Sequence, residues 1–364
     1  MPDIIGRSVE SEYGKKYTVL ESVNEGVFGR IYKVFGSNNI EPLAMKVFFK
    51  AHENASWDIE IEALRSARST ADEMNIVKIL DYGSLKQDNL PDRLSNNFIV
   101  MPLLGKSIYQ TLNPNGDNTV EKMAFENSNI EHIGYQVAVA MMHLQTLNIM
   151  HLDLKPENVV FVKVNNQITA KRIVENRTLL SMEDTQVKLI DLGCSRLFDA
   201  QDKPEIDIDV QTQNYRAPEV FMGLGFTRKS DVWSFGCLLS EMYTGELLFF
   251  GGADENLDEV QLEGMQSILR RSIPYWMLEK AYDARSQKVI WTDDGFRFHK
   301  MNTVRNISAP PILSNIRQFD VRGIILHELI LNCLEIDPED RPNFAEIMRH
   351  EFFNQRNGLI TLDD

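Results

Sequence analysis

The chain of 364 residues has few cysteines and no long apolar run. Its three cysteines, Cys194, Cys237 and Cys333, are too few and too scattered for a disulfide framework or a zinc site, so we expect packing roles in a reducing compartment. No stretch approaches the roughly 18 uncharged apolar residues of a membrane span. Because residues 1–7 lack the apolar segment of a secretory signal, we expect an intracellular protein without membrane contact.

The formal charge is −15, from 53 acidic residues against 38 lysines and arginines. Such a charge repels phosphate backbones, so it disfavours nucleic acid as a direct ligand and favours basic protein partners. The alternative is that the acidic surface serves only solubility. No repeat or low-complexity tract divides the chain, and we expect one continuous folded unit that acts as a monomer.

Residues 17–49 alternate apolar side chains around glycines, which predicts three antiparallel strands at 17–20, 29–34 and 43–48. Residues 57–67 carry apolar positions at helical spacing and predict a helix packed on that sheet. Two further strands are predicted at residues 76–82 and 97–101. Together they would complete a small five-stranded lobe.

Helical periodicity dominates beyond Gly105. Residues 130–147 form a long segment with one apolar face, and residues 231–239 are nearly all apolar, which predicts a buried helix. We therefore expect a cleft between a small sheet lobe and a larger helical lobe, with the boundary near residues 102–105.

Two motifs carry the chemistry. Residues 149–159 read Ile-Met-His-Leu-Asp-Leu-Lys-Pro-Glu-Asn-Val, and Asp-Leu-Gly follows at 191–193, after a strand-like run. Moving a phosphoryl group from ATP to a hydroxyl requires a carboxylate to orient that hydroxyl, a cation to steady the phosphate and side-chain oxygens to hold Mg²⁺. The candidates, in that order, are Asp153, Lys155, Asn158 and Asp191. The pairing predicts a phosphoryl transferase.

Residues 24–31 predict a strand-turn-strand whose glycines let backbone N–H groups approach phosphate oxygens without a Cβ in the way. Glycine-rich hairpins are common, so this signal alone is weak. A lysine such as Lys46 is ordinarily a snorkelling surface residue, and a helical acid such as Glu60 is ordinarily solvated. The order of glycine loop, strand lysine, helix glutamate and the two motifs instead favours a Lys46–Glu60 pair held against the phosphates.

These residues resemble the eukaryotic protein kinases over residues 17–353. The resemblance implies a two-lobed α+β fold, with a small lobe at about 17–104 and a large lobe at about 105–353. It leaves a short N-terminal extension at 1–16 and a tail at 354–364. It also implies ATP and Mg²⁺ as cofactors and transfer of the γ-phosphoryl group to serine or threonine of protein substrates, with tyrosine autophosphorylation left open.

The family pattern assigns roles residue by residue. It makes Asp153, Lys155, Lys46 and Glu60 catalytic, and Asn158 and Asp191 the Mg²⁺ ligands. The nucleotide contacts it implies are Val23, Asn24, Gly26, Val27, Phe28, Gly29, Ile31, Ala44, Lys46, Met101, Pro102, Leu104 and Val160. Pro102 lacks an N–H, but the hinge needs only a carbonyl there, and Leu104 can supply the donor. Arg341 looks like the family's ion-pair partner for Glu219.

Within the kinases, residues 215–219, Tyr-Arg-Ala-Pro-Glu, are similar to the CMGC group. Residues 103–109, 177–180 and 291–294 look most like the LAMMER, or CLK, family, although only Leu262 and Met265 match its naming signature. The related DYRK and HIPK kinases are the runners-up. LAMMER relatives imply nuclear splicing factors rich in Arg-Ser repeats as substrates. The chain has no basic localisation cluster, so nucleus and cytoplasm both stay open.

Three residues depart from the family pattern. Asn24 replaces the first loop glycine, and asparagine tolerates unusual backbone angles well enough for the hairpin to survive. Leu192 replaces the usual phenylalanine, one apolar plug for another. Leu152 stands where many kinases place an arginine that pairs with a phosphate on the activation segment.

The part of the activation segment that usually carries the acceptor for that phosphate has no hydroxyl residue, and Thr212 and Tyr215 are the nearest hydroxyl residues after it. No serine, threonine or tyrosine occurs in residues 196–211, which instead carry Asp199, Asp202, Glu205, Asp207 and Asp209. One interpretation is an ordinary acidic loop. The other is a segment ordered without phosphorylation.

Two rival functions remain. A catalytically inactive kinase-fold scaffold would be favoured by loss of Lys46, Asp153 or Asp191, and all three are present. A small-molecule phosphotransferase would lack the Ala-Pro-Glu run at 217–219. The residues therefore favour a protein kinase.

Overall fold

The structure, a computed structural model, describes residues 4–37, 39–52, 56–86, 90–116, 122–174, 177–198, 210–250, 257–283, 289–292, 295–298, 317 and 320–354. At residues 52, 257–260, 283, 289–292 and 295–298 the description is limited to the backbone.

The small lobe is one antiparallel sheet covered by a helix. Its strands are β1 (Ser8–Glu10), β2 (Lys16–Glu25), β3 (Gly29–Gly36), β4 (Leu43–Phe49), β5 (Asp81–Ser84) and β6 (Leu94–Pro102), in the order β1-β2-β3-β4-β6-β5. Helix α1 (Ser56–Ala67) turns Ile61, Ala63 and Leu64 inward, as its apolar spacing predicted. The sheet has six strands where the sequence predicted five, because β1 lies in the predicted N-terminal extension.

Hydrogen bonds around the end of β1 link it to the other edge of the sheet, at β5. Glu12 N–H donates to the carbonyl of Ser84 at 2.8 Å, and Lys86 N–H donates to the carbonyl of Glu10 at 2.8 Å. Ile4 and Val9 are fully buried in the apolar cluster that the strands enclose. Ile4 and Val9, which precede the predicted domain, are therefore part of the small-lobe core.

The predicted strand at residues 76–82 is largely wrong. The strand begins at Asp81, and Ile76 instead forms a parallel bridge to Leu189 in the large lobe. Val77 N–H donates to the carbonyl of Leu189 at 2.9 Å. This apolar run is buried between the lobes, which explains its strand-like composition without sheet pairing.

The large lobe is mainly helical. Its helices are α2 (Ile108–Leu112), α3 (Asn127–Thr146), α4 (Pro218–Phe221), α5 (Arg228–Thr244), α6 (Leu257–Leu269), α7 (Tyr275–Asp283), α8 (Val321–Cys333) and α9 (Phe344–Ile347). Its strands are β7 (Lys122–Phe125), β8 (Ile149–Met150), β9 (Val159–Phe161), β10 (Ile168–Val174), β11 (Arg177–Met182), β12 (Val187–Leu189), β13 (Arg196–Leu197), β14 (Val289–Thr292) and β15 (Gly295–Phe298). The two-lobed α+β fold predicted from the sequence is confirmed.

Helix α5 is the buried helix that the sequence predicted. Every residue from Ser230 to Thr244 is buried, and a capping box between Thr227 and Ser230 begins the helix. Gly245, in the left-handed conformation, ends it. Cys237 on this helix and Cys333 on α8 are buried, as the packing role required, while Cys194 is half-buried. No helix in the described ranges is long and apolar enough to cross a bilayer.

A buried ion pair joins α4 to the loop before α9. Arg341 donates two hydrogen bonds to Glu219, at 2.7 Å to Oε1 and 2.6 Å to Oε2, and its side chain is fully buried. Ser230 also donates to Glu219 Oε1, at 2.7 Å. The predicted partnership of Arg341 with Glu219 is therefore present, and it fixes α4 to the loop before α9.

We expect Arg341→Met to lower the free energy of unfolding by about 3–5 kcal/mol, because it leaves the Glu219 carboxylate buried without its partner. Urea denaturation of the purified variant measures this. The double variant Glu219→Met/Arg341→Met, which removes both charges, should recover much of the loss.

The matched control is Lys78→Met, which breaks an exposed pair with Asp72 and should cost less than about 1 kcal/mol. A double variant no more stable than Arg341→Met would show that the stranded charge is not the cause.

Candidate active site

A cavity of about 390 Å³ lies between the two lobes, and every predicted nucleotide contact lines it. Ala44 on β4 pairs with Met101 on β6 at the back, and Val160 on β9 approaches from the large lobe. Pro102 ends β6, and Leu104 lies in the connection to α2. The remaining lining residues of that set are Val23, Asn24, Gly26, Val27, Phe28, Gly29, Ile31 and Lys46.

The hairpin between β2 and β3 forms one wall of the cavity. A Cβ added at Gly29 would lie 2.5 Å from the carbonyl oxygen of Val47, so only glycine fits there. Asn24 does not disrupt the hairpin, because it pairs with Ile31 and its side-chain oxygen accepts from Glu25 N–H at 2.9 Å. The substitution of the first loop glycine is thus accommodated.

Lys46 bridges the two lobes at the floor of the cavity. Its ammonium donates to Glu60 on α1 at 2.6 Å and to Asp191 at 2.8 Å. The rings of Phe28 and Phe48 lie 5.9 Å and 5.0 Å from the same nitrogen. The predicted Lys46–Glu60 pair is present, and the Asp191 carboxylate joins it.

Burial and charge oppose each other in this cluster. Burial would lower the pKa of Lys46, but the carboxylates of Asp191 and Glu60 outweigh it and hold that pKa above its ordinary value. Burial raises the pKa of Glu60 to about 7, against the lowering effect of Lys46. Burial would also raise the pKa of Asp191, yet the Lys46 ammonium keeps it below the ordinary value. The cluster therefore favours a protonated lysine and an ionised Asp191.

The first turn of α1 packs against the glycine that follows Leu192. A Cβ at Gly193 would lie 2.8 Å from Ser56 Oγ and 3.3 Å from Glu60 Oε2, so these side chains would have to shift to admit a larger residue. Leu192 is fully buried in the core, which is consistent with its expected role as an apolar plug. Glycine at residue 193 thus leaves room for the side chains of Ser56 and Glu60.

The second cluster forms around Asp153. Lys155 lies 2.9 Å from Asp153 Oδ2, and Thr212 Oγ1 donates to Asp153 Oδ1 at 2.6 Å. Lys155 also donates to Thr212 Oγ1 at 2.8 Å. Burial would lower the pKa of Lys155, but the Asp153 carboxylate reverses this and raises it. The cluster presents a carboxylate and a cation side by side at the cleft.

Asn158 holds Asp153 from behind. Its Nδ2 donates to the Asp153 carbonyl at 2.8 Å and to Oδ2 at 3.1 Å. Because both contacts use the nitrogen, the amide oxygen is the atom that Asn158 can offer to a metal. Asp191 lines the same cavity. An amide oxygen and a carboxylate are ligands that Mg²⁺ accepts, so the donor set fits a bound magnesium ion.

The loop that carries Asp153 and Lys155, which we call the catalytic loop, is held by Asp231 at the start of α5. Its two oxygens accept from the N–H groups of His151 at 2.9 Å and Leu152 at 2.8 Å. Leu152 has a positive φ of 58°, and its side chain is fully buried. A leucine therefore occupies the position of the usual arginine as a packing residue, without a charge for a phosphate.

The segment 210–217 lies beside this loop. Arg216 donates to the carbonyls of Val210 at 3.0 Å and Gln211 at 2.9 Å. Tyr215 is buried, and its hydroxyl donates to Glu241 at 2.6 Å. The acidic residues Asp199, Asp202, Glu205, Asp207 and Asp209, on which the sequence hypothesis of phosphate-free ordering partly depends, lie outside the described residues.

Several contributors to the site were not recognised in the sequence. Ser107, Tyr109, Gln110 and Glu157 line the cavity, and Gln211 and Ser56 fix its surroundings. Ser107 and Gln110 form a capping box at α2, and the Ser-x-x-Gln spacing could have revealed it. Gln211 carries no such signal, since its partners are mostly backbone groups.

Comparisons with known proteins agree with the geometry. The family model of the protein kinase domain matches residues 17–353. Serine/threonine-protein kinase AFC1 of Arabidopsis thaliana is 28% identical over 355 residues, covering 93% of this chain and 71% of AFC1. Dual specificity protein kinase CLK1 of Homo sapiens is 26% identical over 347 residues, covering 93% of this chain and 66% of CLK1. Across similar curated relatives the chain spans from 36% to 84% of their length.

Among solved structures, a crystal structure of a kinase domain superimposes with a TM-score of 0.72 at 26% identity, covering 93% of this chain and 95% of that chain. The predicted resemblance to the kinases is confirmed, and the similar relatives include kinases of the CLK family and of the HIPK group, which was the runner-up. Since the family model spans most of the sequence and both charged clusters face one interlobe cavity, the chain belongs to the protein kinase family.

Proposed function

We propose that this protein transfers the γ-phosphoryl group of ATP to serine or threonine hydroxyls of protein substrates, with Mg²⁺ as the metal. Protein kinases as a family act on proteins and use ATP with a divalent metal. The observation that carries the proposal is that the Lys46–Glu60–Asp191 cluster and the Asp153–Lys155–Asn158 cluster line one cavity. Phosphoryl transfer depends mainly on positioning and electrostatic stabilisation, and these clusters supply both.

The cavity divides into an apolar and a charged part. Ala44, Met101, Val160 and Leu104 offer an apolar slot between the lobes that suits a purine ring. Lys46 is placed to neutralise phosphate charge, with Glu60 fixing its position. Asn158 and Asp191 would hold Mg²⁺, which lowers the repulsion among phosphate oxygens.

Asp153 and Lys155 would act on the acceptor. Asp153 already accepts a hydrogen bond from a threonine hydroxyl, that of Thr212, so its carboxylate is oriented to receive a hydroxyl proton. Lys155, 2.9 Å away, offsets negative charge on the transferred group. Lys46, Asp153 and Asp191 are all present, which argues against an inactive kinase-fold scaffold. The Ala-Pro-Glu run at residues 217–219 argues against a small-molecule phosphotransferase.

We also propose basic protein substrates, of which Arg/Ser-rich sequences are one class. Five carboxylates, Glu25, Glu60, Asp153, Glu157 and Asp191, line the cavity against two lysines, Lys46 and Lys155. The whole chain carries −15. A cationic peptide would be steered to such a cleft, whereas a nucleic acid would be repelled. A monomer in the nucleus or cytoplasm is the setting that fits these features.

We further propose that the kinase is active without phosphorylation of its activation segment. The two hydroxyl residues that follow residues 196–211 already form hydrogen bonds: Thr212 donates to Asp153, and Tyr215 donates to Glu241 from a buried position. Leu152 supplies no cation beneath the segment. The segment 210–217 is nonetheless hydrogen-bonded throughout, which is the arrangement that a phosphate would otherwise stabilise.

We expect Asp153→Asn and Asp191→Ala each to lower turnover by orders of magnitude while the fold survives, because both side chains act chiefly in the transition state. Phosphate incorporation into a basic protein measures turnover, and thermal unfolding checks the fold. The control Asp72→Asn changes an exposed acid and should leave turnover unaltered. More than about a tenth of wild-type turnover in either site variant would refute the roles given to these residues.

For substrate charge, three peptides with the same acceptor serine and arginine, glutamine or glutamate flanks should be phosphorylated in that order of efficiency. Raising the salt from low ionic strength to about 0.5 M should narrow the difference, since exposed charges are screened over about 10 Å at 0.1 M. The glutamine peptide controls for general salt effects. Equal efficiencies, or a preference that salt does not change, would count against steering by charge.

Protein made in bacteria and treated with phosphatase should be fully active towards peptides. Mass spectrometry must confirm that Thr212 and Tyr215 are unmodified. Material that is inert, and that recovers when either residue is phosphorylated, would show that the kinase needs the conventional switch.

A further inference from the structure

Gln211 is a buried residue whose side chain makes three hydrogen bonds. Its Nε2 donates to the carbonyl of Ser230 at 3.0 Å and to Ser234 Oγ at 2.8 Å, both on α5. Its Oε1 accepts from the N–H of Ala217 at 3.0 Å. The amide group therefore ties the end of the segment 211–217 to the helix beneath it.

The backbone of Gln211 is fixed as well. Its N–H donates to the carbonyl of Leu152 at 2.9 Å, and its carbonyl accepts from Arg216 at 2.9 Å. The φ of 62° places it in the left-handed region, which costs energy for a residue with a side chain. One residue thus joins the catalytic loop, helix α5 and the far end of its own segment.

The neighbour of Gln211 contacts the site of chemistry. Thr212 donates to Asp153 at 2.6 Å and accepts from Lys155 at 2.8 Å. Because the two residues share a peptide bond, a shift of Gln211 shifts the hydroxyl that orients Asp153. Gln211 itself does not line the nucleotide cavity.

We propose that Gln211 is a positioning residue that holds residues 212–217 in the substrate-accepting arrangement through its neutral side-chain amide. The amide performs the ordering that a phosphate and an arginine would perform by charge. This inference rests on the proposed function in so far as it concerns turnover. Its structural part, the ordering of the segment, stands apart from activity.

The test compares Gln211→Ala and Gln211→Gly with wild type. Glycine relieves the left-handed backbone while it removes the amide, so it separates the two roles of the residue. We expect kcat for peptide phosphorylation to fall about 10- to 100-fold in both variants, because misplacement of reacting groups by about 1 Å has effects of that order. KM for ATP should stay within about twofold of wild type.

The matched control is Gln136→Ala. Gln136 is a buried glutamine with the same number of side-chain hydrogen bonds, to the carbonyls of His132 and Thr185 and from Val187 N–H. It lies on α3, away from the catalytic residues. The control should lose thermal stability but keep kcat.

Hydrogen exchange supplies a readout that does not need activity. The amides of residues 212–217, and Ala217 above all, should exchange at least about tenfold faster in both Gln211 variants and at the wild-type rate in Gln136→Ala. If wild type transfers no phosphate, the proposed function fails, and the exchange rates alone then decide this inference. Unchanged exchange in Gln211→Ala, or wild-type kcat in Gln211→Gly, would overturn it.

Discussion

The buried ammonium group of Lys46 links the small lobe to the large lobe. Lys46 comes from the sheet, Glu60 from α1 and Asp191 from the loop after β12, and the lysine contacts both carboxylates within 2.8 Å. Each of the three would be costly to bury alone, and Lys46 favours the ionised form of both carboxylates, whereas burial and the charge of Asp191 raise the pKa of Glu60. Removal of Lys46 would leave two carboxylates near each other in the cavity without the cation that they share. The position of α1, and with it the shape of the nucleotide site, follows from this balance.

The half of the site around Asp153 depends more on neutral hydrogen bonds. Around Asp153 the contacts are to the Lys155 ammonium, the Thr212 hydroxyl and the Asn158 amide. Asp231 fixes the loop, and Gln211 fixes the segment beside it through neutral groups. Neutral hydrogen bonds neither titrate near neutral pH nor weaken much with salt. The side-chain hydrogen bonds of Gln211 are of this kind, so they hold the end of the segment in the same way across neutral pH and a range of salt.

Predictions from the sequence were most accurate where they used side-chain periodicity within one element or the order of several motif residues. The helix at 57–67, the strands at 29–34 and 43–48 and the buried helix at 231–239 follow from side-chain periodicity, which packing reinforces. The clustering of Asp153 with Lys155, and of Lys46 with Glu60, followed from motif order.

Side-chain periodicity did not predict contacts between residues that are far apart in the sequence. Strand β1 is three residues long, and its neighbourhood reaches β5 through contacts such as Glu10 with Lys86, 76 positions apart. The apolar run at 76–79 looked like a strand because burial between lobes demands the same residues as burial in a sheet. Gln211 was missed because a buried glutamine is recognised only by the backbone groups around it.

The folded small lobe begins earlier in the chain than the region that matches the kinase family model. The family model begins at residue 17, but the segment that covers the free edges of β2 and β5 lies before it. A fragment cut at residue 17 would carry two bare strand edges and lose the buried Ile4 and Val9. Unpaired edges invite pairing between molecules, so residues 8–12 shield the domain from self-association.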